Sequence, residues 1–380
     1  MNPAARHGAA GWTHPSVRRW LTVMFAAAAS VAATARPAAT PFLIGADVSA
    51  LATCEAHGAV YRDGGVPGDA LRILSARGLN CFRLRLFVAP NHEDMVTNDL
   101  AYTLALAKRV KATGAKLLLD LHYSDTWADP AKQFKPAAWA GLPFAELEAK
   151  VRDYTRETLA RFAAGGVAPD YVQLGNEITN GFLWPDGRVE FQEAADTAAW
   201  GRLARLLHAA HEGLAEAFPA GARPASILQV ENPGERDRAL WFCREAVAAR
   251  VPFDFIGVSY YPEWHGGLDD LRGTLTAMAR EFGRPVMVVE TAYPWTEDEH
   301  WAGRPHLDWP LTPVGQARFL RDVLQVVREL PDGLGCGVIY WHPESVRIDP
   351  APAWLGGSCA WFDRQGEVLP AAAFGRAAAP

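Results

Sequence analysis

"YVQLGNEITNGFLWPDG" (171–187) begins as a run suited to a buried strand and then sets a carboxylate, Glu177, where the strand stops. A charge at the edge of an apolar core costs several kcal/mol unless it is paired or put to use. The same layout recurs along the chain. From Phe42 onward the strand candidates are "FLIGADVS", "CFRLRLFV", "KLLLDLH", "YVQLGNE", "SILQVE", "DFIGVSY", "PVMVVE" and "GCGVIYW". Amphipathic helical patterns lie between them, as at 100–113, 145–164, 194–218 and 313–330. Near-continuous apolar runs alternating with helices argue for a parallel sheet covered by helices. Eight such units argue for a single-domain α/β fold, the (β/α)8 TIM barrel. The alternative, a doubly wound open sheet, lacks a glycine-rich fingerprint after the first strand.

The connections are unequal. Helix-to-strand links such as "GAK", "RVPFD" and "FGRPV" are short, whereas the strand-to-helix segments 123–144, 291–312 and the stretch after Trp341 are long. In a barrel these long loops share the C-terminal face, which carries the site. Ten of the fourteen tryptophans fall on strand ends or in these loops: Trp127, Trp139, Trp184, Trp264, Trp295, Trp301, Trp309, Trp341, Trp354 and Trp361. They are expected to line a groove, since an indole offers a flat apolar face and one donor.

The strand ends supply the chemistry. Strand four ends at Asn176-Glu177 and strand seven at Glu290; strand two carries Arg83 and Arg85, and strand three ends at His122. Strand six ends at Tyr260-Tyr261, and strand eight at Trp341. Taken singly, a strand-end glutamate caps a helix or pairs with an arginine, and a lone histidine is structural. Two glutamates at one barrel mouth, walled by tryptophan, fit glycoside hydrolysis, which needs one carboxyl protonated and one ionised. Glu290 is the expected nucleophile, kept ionised by Arg83 or Arg85 and a tyrosine hydroxyl. Glu177 is the expected acid and then base, and Asn176 a partner for the sugar 2-hydroxyl.

With 380 residues and a net charge of -6, the chain has no basic footprint for nucleic acid. Arg6, Arg18 and Arg19 precede the apolar run "WLTVMFAAAASVAA" and the small-residue site Ala33-Thr34-Ala35. This predicts a signal peptide over 1–35, a short segment over 36–41, and a catalytic domain over 42–380. No second apolar run is long enough to span a membrane, so a secreted or periplasmic monomer acting on polysaccharide is expected. Five cysteines leave at least one thiol free, and Cys81 and Cys336 sit in strand-like runs as small buried hydrophobes.

These segments resemble glycoside hydrolase family 53, the arabinogalactan endo-β-1,4-galactanases. The resemblance rests on "GADVSAL" (45–51), "GLNCFRLRLFVAP" (78–90), "YTLALAKRVKATGAKLLLDLHYSDTWADP" (102–130) and "QLGNEITNGFLWP" (173–185). It continues through "DFIGVSYYPEWHG" (254–266), "PVMVVETAYPW" (285–295) and "YWHPE" (340–344). It implies a retaining endo-acting enzyme on β-1,4-galactan, with Glu177 as acid/base and Glu290 as nucleophile. It also implies that His122, Asn176, Tyr260, His265 and Trp341 stand at or near the sugar-binding cleft; Arg83, Arg85 and Trp295, at strand ends and in the loops, are further substrate-binding candidates. Many members read Tyr-Trp-Glu-Pro-Ala-Trp where this chain has "YWHPES", so His342 replaces a glutamate. No cofactor is expected. Some members hold calcium between the last two loops, but Glu297, Asp298, Glu299 and Asp349 form no ligand ladder and calcium is left unassigned. Two alternatives stay open: a retaining glycanase for mannan or glucan, and a non-catalytic polysaccharide-binding barrel.

Overall fold

The eight apolar runs form eight strands: β1 (Leu43–Asp47), β2 (Cys81–Leu86), β3 (Lys116–Leu121), β4 (Tyr171–Leu174), β5 (Ala225–Glu231), β6 (Phe255–Tyr260), β7 (Val286–Thr291) and β8 (Gly335–Trp341). Every neighbouring pair is parallel, and β1 pairs with β8, Leu43 opposite Gly337, to close the barrel. The computed structural model describes residues 41–192, 196–348 and 353–376. The expected signal peptide and Asp349 lie outside the described residues.

Seven helices wrap the barrel in turn: α1 (Ala70–Ala76), α2 (Leu100–Ala112), α3 (Phe144–Ala164), α4 (Thr197–Glu216), α5 (Arg236–Ala248), α6 (Leu268–Phe282) and α7 (Pro313–Arg328). Side-chain caps fix several starts. Asp99 accepts from Tyr102 N at 2.7 Å, Asp196 from Ala198 and Ala199 N, and Thr312 from Gly315 N with Pro313 at the first helical position. After β8 the 3-10 turn Pro370–Ala373 packs on α7 in the eighth helix's place. The returning segment is strapped to the N-terminal hairpin 61–68. Glu367 accepts from the backbone of Gly64 and Gly65, and Val368 N donates to Arg62 O at 3.0 Å.

Side chains alternate along each strand, so every second residue points into the barrel. The lower layers are apolar: Leu43, Cys81, Leu118, Tyr171, Ile227, Phe255, Met287, Val289, Cys336 and Ile339. Gly257 belongs to this packing, because a Cβ there would stand 2.8 Å from both Ile227 and Val289. Two residues further up, the interior turns polar. Arg83 Nε donates to Gln173 Oε1 at 2.8 Å, Gln173 donates to Gln229, and Gln229 donates to Ser259 Oγ at 2.9 Å. This belt, running from β2 to β6, is the floor of the site.

All five cysteines are free and buried. No helix among the described residues is long and apolar enough to cross a membrane.

Candidate active site

Glu177 and Glu290 reach the mouth by two departures from regular strand geometry. After β4 the chain turns through Gly175 (φ +100°) and places Glu177 itself in the left-handed region, at φ +49°. That conformation costs a non-glycine residue about 1–2 kcal/mol. Three contacts hold it: Gln133 Nε2 donates to the carbonyls of Asn176 (2.8 Å) and Glu177 (3.2 Å), and Glu177 N donates to Gln229 Oε1 (3.2 Å). On β7, Val289 fills the lower layer, so strict alternation would turn Glu290 outward. The pairing with β6 slips here, from Val258 opposite Val288 to Ser259 opposite Glu290. This bulge brings Glu290 inward, a common use of bulges beside active sites.

Both carboxyls line one cleft of about 690 Å³, with Asn176, Glu231, Tyr261, Trp341 and His342 among its walls. Their surroundings differ. Tyr261 donates its hydroxyl to Glu290 Oε1 at 2.8 Å, and Arg83 Nη1 lies 3.1 Å from Oε2. Burial pushes Glu290 up to about 7, against the opposing pull of Arg83 and Tyr261. Among the described residues no cation forms an ion pair with Glu177. Burial first, then the charges of Glu290 and Glu231, raise it well above the ordinary carboxylate value, opposed by a hydrogen bond with Ser259. Burial raises both carboxyls, and the cation and hydroxyl beside Glu290 favour its ionised form, whereas Glu177 has no such pair of neighbours.

The sequence pattern of glycosyl hydrolase family 53 matches residues 43–374, nearly the whole described chain. The chain belongs to glycosyl hydrolase family 53. It is 39% identical over 343 residues to an uncharacterized protein from the bgaB 5' region of Niallia circulans, covering 86% of this chain and 92% of that one. It is 35% identical over 373 residues to the arabinogalactan endo-beta-1,4-galactanase of Cellvibrio japonicus, covering 92% and 94%. The solved GH53 catalytic domain of Ignisphaera aggregans superposes with a TM-score of 0.79 at 32% identity, over 88% of this chain and 95% of that domain. This family 53 chain is a glycoside hydrolase.

The structure brings four further expected residues of the family 53 enzyme to the cleft or against its reacting groups. Asn176 Oδ1 accepts from Arg83 Nη2 and its Nδ2 donates to Ala128 O, both at 2.8 Å, which fixes the amide and leaves one N–H for a ligand. His265 lines the cleft with Nδ1 3.1 Å from Tyr261 N and Ser259 O, and burial lowers it to about 4. Trp341 lines the wall, edge-on to Trp127 at 6.1 Å. Arg83 contacts Glu290.

The others are placed elsewhere. Arg85, like Arg83 of the floor itself, is fully buried, so neither guanidinium is exposed to the cleft. Arg83 binds Asp47 and Asp120, each at 2.9 Å; Arg85 stacks 4.3 Å from the Trp127 centroid. His122 supports from below, accepting from Ala128 N at Nδ1 while Nε2 lies 2.9 Å from Asp120. Tyr260 points outward to the helix layer, stacking on Phe319 with its hydroxyl on Gly266 O. Tyr261, one residue on, is the tyrosine that faces Glu290. Trp295 donates Nε1 to Gly357 O in the loop layer rather than facing the cleft.

The tryptophan groove also shrinks. Of the ten loop tryptophans, Trp127, Trp264, Trp341 and Trp354 line the cleft. Trp361, stacked on Tyr340 at 4.4 Å, and Trp309, packed on Phe319, illustrate the rest. Long loops need small cores of their own, and indole fills them efficiently. Gln133, Gln229, Glu231 and Tyr261 were not singled out by sequence. Glu231 and Tyr261 carried a signal: a strand-end carboxylate on "SILQVE", and strand parity counted on from Ser259. Among the described residues no three His, Cys, Asp or Glu side chains are grouped to hold a metal ion.

Proposed function

We propose that this glycoside hydrolase is an exported endo-β-1,4-galactanase that cleaves β-1,4-galactan with retention, using Glu290 as nucleophile and Glu177 as acid/base. The observation that carries the mechanism is the asymmetry of the two buried carboxyls: Arg83 and Tyr261 attend Glu290, while two carboxylates face Glu177. The substrate follows from relatives named for galactan cleavage, one of them matched along nearly its full length. Export rests on the N-terminal sequence pattern alone.

In the first step Glu177 gives its proton to the glycosidic oxygen as the C1–O bond breaks. Glu290 forms an ester to C1. Its Oε1 is occupied by Tyr261, and its Oε2 carries no hydrogen bond, so Oε2 is the oxygen available for attack. Glu177, now ionised, takes a proton from water, which displaces Glu290 with a second inversion. Asn176 offers its remaining N–H to the 2-hydroxyl of the reacting sugar.

The test is cleavage of linear β-1,4-galactan, mannan and cellulose in parallel, with the anomer of the first product read by proton NMR. Galactan cleavage giving the β-anomer first is expected. Preference for mannan or cellulose would overturn the substrate, and initial α-product the mechanism. Binding without release of reducing ends would favour the non-catalytic reading. Fractionation of the source cells tests export.

A further inference from the structure

His342 follows Trp341 at the end of β8, in a left-handed conformation (φ +55°). Its ring is buried yet lines the same cleft as Glu177 and Glu290. Nε2 lies 3.1 Å from Arg85 Nη1. A guanidinium carries five donors and no acceptor, so Nε2 must present its lone pair to Arg85. A neutral imidazole that accepts at Nε2 carries its proton at Nδ1. The ring is neutral, since burial and the charges of Arg85 and Arg83 lower its affinity for a second proton far below the ordinary value. The tautomer is therefore dictated by a neighbour that cannot change its role.

Nδ1 is buried and has no hydrogen-bond partner among the described residues. The rings around it are aromatic: Trp341 at 4.4 Å between centroids, Trp354 stacked at 6.1 Å and Trp127 at 6.3 Å. A buried donor left unmet is costly, and native proteins leave few of them without a reason. Arg85 Nη2 is itself held by Met95 O at 3.1 Å, so the guanidinium is a fixed anchor rather than a mobile one. A saccharide on the Trp341 wall would bring hydroxyl oxygens beside this ring.

We propose that His342 is a specificity-determining residue whose Nδ1–H donates to one hydroxyl oxygen of the sugar seated against Trp341. A carboxylate at this position could only accept. The imidazole reverses that polarity and selects for an oxygen that offers a lone pair in its direction. The ligand is a neutral glycosyl unit; taking it to be galactosyl rests on the galactanase reading.

Two substitutions separate the ring's two edges. The amide of asparagine overlies Nδ1 and tolerates positive φ, whereas that of glutamine overlies Nε2. His342→Asn thus keeps a donor toward the sugar and gives up Arg85. His342→Gln keeps an acceptor for Arg85 and leaves nothing at Nδ1. Each variant is assayed for kcat/KM on β-1,4-galactotetraose and its monodeoxy analogues, with melting temperature measured alongside. In the wild type, one deoxy position is expected to cost about tenfold. His342→Gln should abolish that single penalty and leave the others intact, and His342→Asn should preserve it. An unchanged deoxy profile in His342→Gln, whatever its melting temperature, would overturn the proposal and leave the ring a mere support for Arg85. Nitrogen-15 NMR of the intact, ligand-free protein reads the tautomer without any turnover. A protonated Nδ1 that shifts on adding galactobiose is expected, and a protonated Nε2 would overturn the inference. Failure to cleave galactan at all would sink the substrate reading and not the tautomer.

Discussion

Arg83 stands 3.1 Å from Glu290 without making a directed hydrogen bond to it. Its other donors are committed: Nε to Gln173, Nη1 to Asp47, and Nη2 to Asp120 and Asn176. The guanidinium therefore supplies charge to Glu290, the proposed nucleophile, and leaves the lone pair of Oε2 uncommitted. It also ties four strand ends into one rigid floor.

Replacing Arg83 with Met should therefore do two things. It strands buried carboxylates, which costs about 3–5 kcal/mol when one partner of such a network is removed. It also withdraws the chief influence lowering Glu290, so the acidic limb of the pH–rate profile should move to higher pH. Urea unfolding reads the first effect and kcat/KM against pH the second. An unmoved acidic limb would separate Arg83 from Glu290.

The two glutamates should fail differently. Glu290→Ala should lose turnover on all substrates, because no ester can form. Glu177→Ala should lose roughly 10²–10⁴-fold on galactan but far less in bond cleavage of an aryl galacto-oligoside with a good leaving group. Equal losses on both substrates would remove Glu177 from the acid role.

Glu231 faces Glu177 from β5, bonded to Thr179 and 3.6 Å from Arg238. Its charge is one of those raising Glu177. Glu231→Gln should lower Glu177, so the basic limb of the profile should move to lower pH. A basic limb that stays in place would show that Glu231 is neutral at working pH.

Glu344 makes a stability prediction. It is buried, with Oε1 on Ala50 N at 2.8 Å, and burial together with Asp47 raises it to about 8 from 4.5. A raised carboxyl binds its proton more tightly folded than unfolded. Its contribution is intact below about pH 4.5 and is lost as pH climbs to about 8, on the order of 5 kcal/mol in all. Glu344→Gln should flatten the fall in melting temperature across that window. An equally steep fall in the variant would count against it.

Trp341 covers the Arg83 guanidinium, 5.4 Å from its ring centroid, while facing the cleft. Trp341→Ala should lower melting temperature and turnover together, the packing loss being about 3–5 kcal/mol. Trp341→Phe should recover most of the stability but less of the activity. Full activity in the alanine variant would exclude stacking on the sugar.

The barrel was legible because its evidence is local: eight apolar runs, helical periods between them, and loops that are long on one side. That Glu177 and Glu290 meet at one cleft was legible because a charge ending an apolar run is conspicuous. What stayed hidden depends on register and on partners distant in sequence. The slip at Val289 that turns Glu290 inward leaves no mark in "PVMVVE". Tyr260 and Tyr261 are adjacent and alike, and only strand parity tells the helix layer from the cleft. Arg83 and Arg85 advertise a charged site but not that both guanidiniums are fully buried in it. Tryptophan is ambiguous by nature, as apt for a loop core as for a sugar.

The closure of β1 against β8 also sets a timetable. On the ribosome β1 is made first, and the strand that completes its pairing comes about 290 residues later, with the Glu367 strap later still. Until then one side of β1 is an unsatisfied edge, which is the sort of surface that recruits wrong partners. Such distant closure is slow because the loop entropy falls due before the contacts form. A nascent chain halted before Glu367 should therefore remain protease-sensitive along its entire length, and resistance should arrive in one step with the last residues rather than accumulate unit by unit.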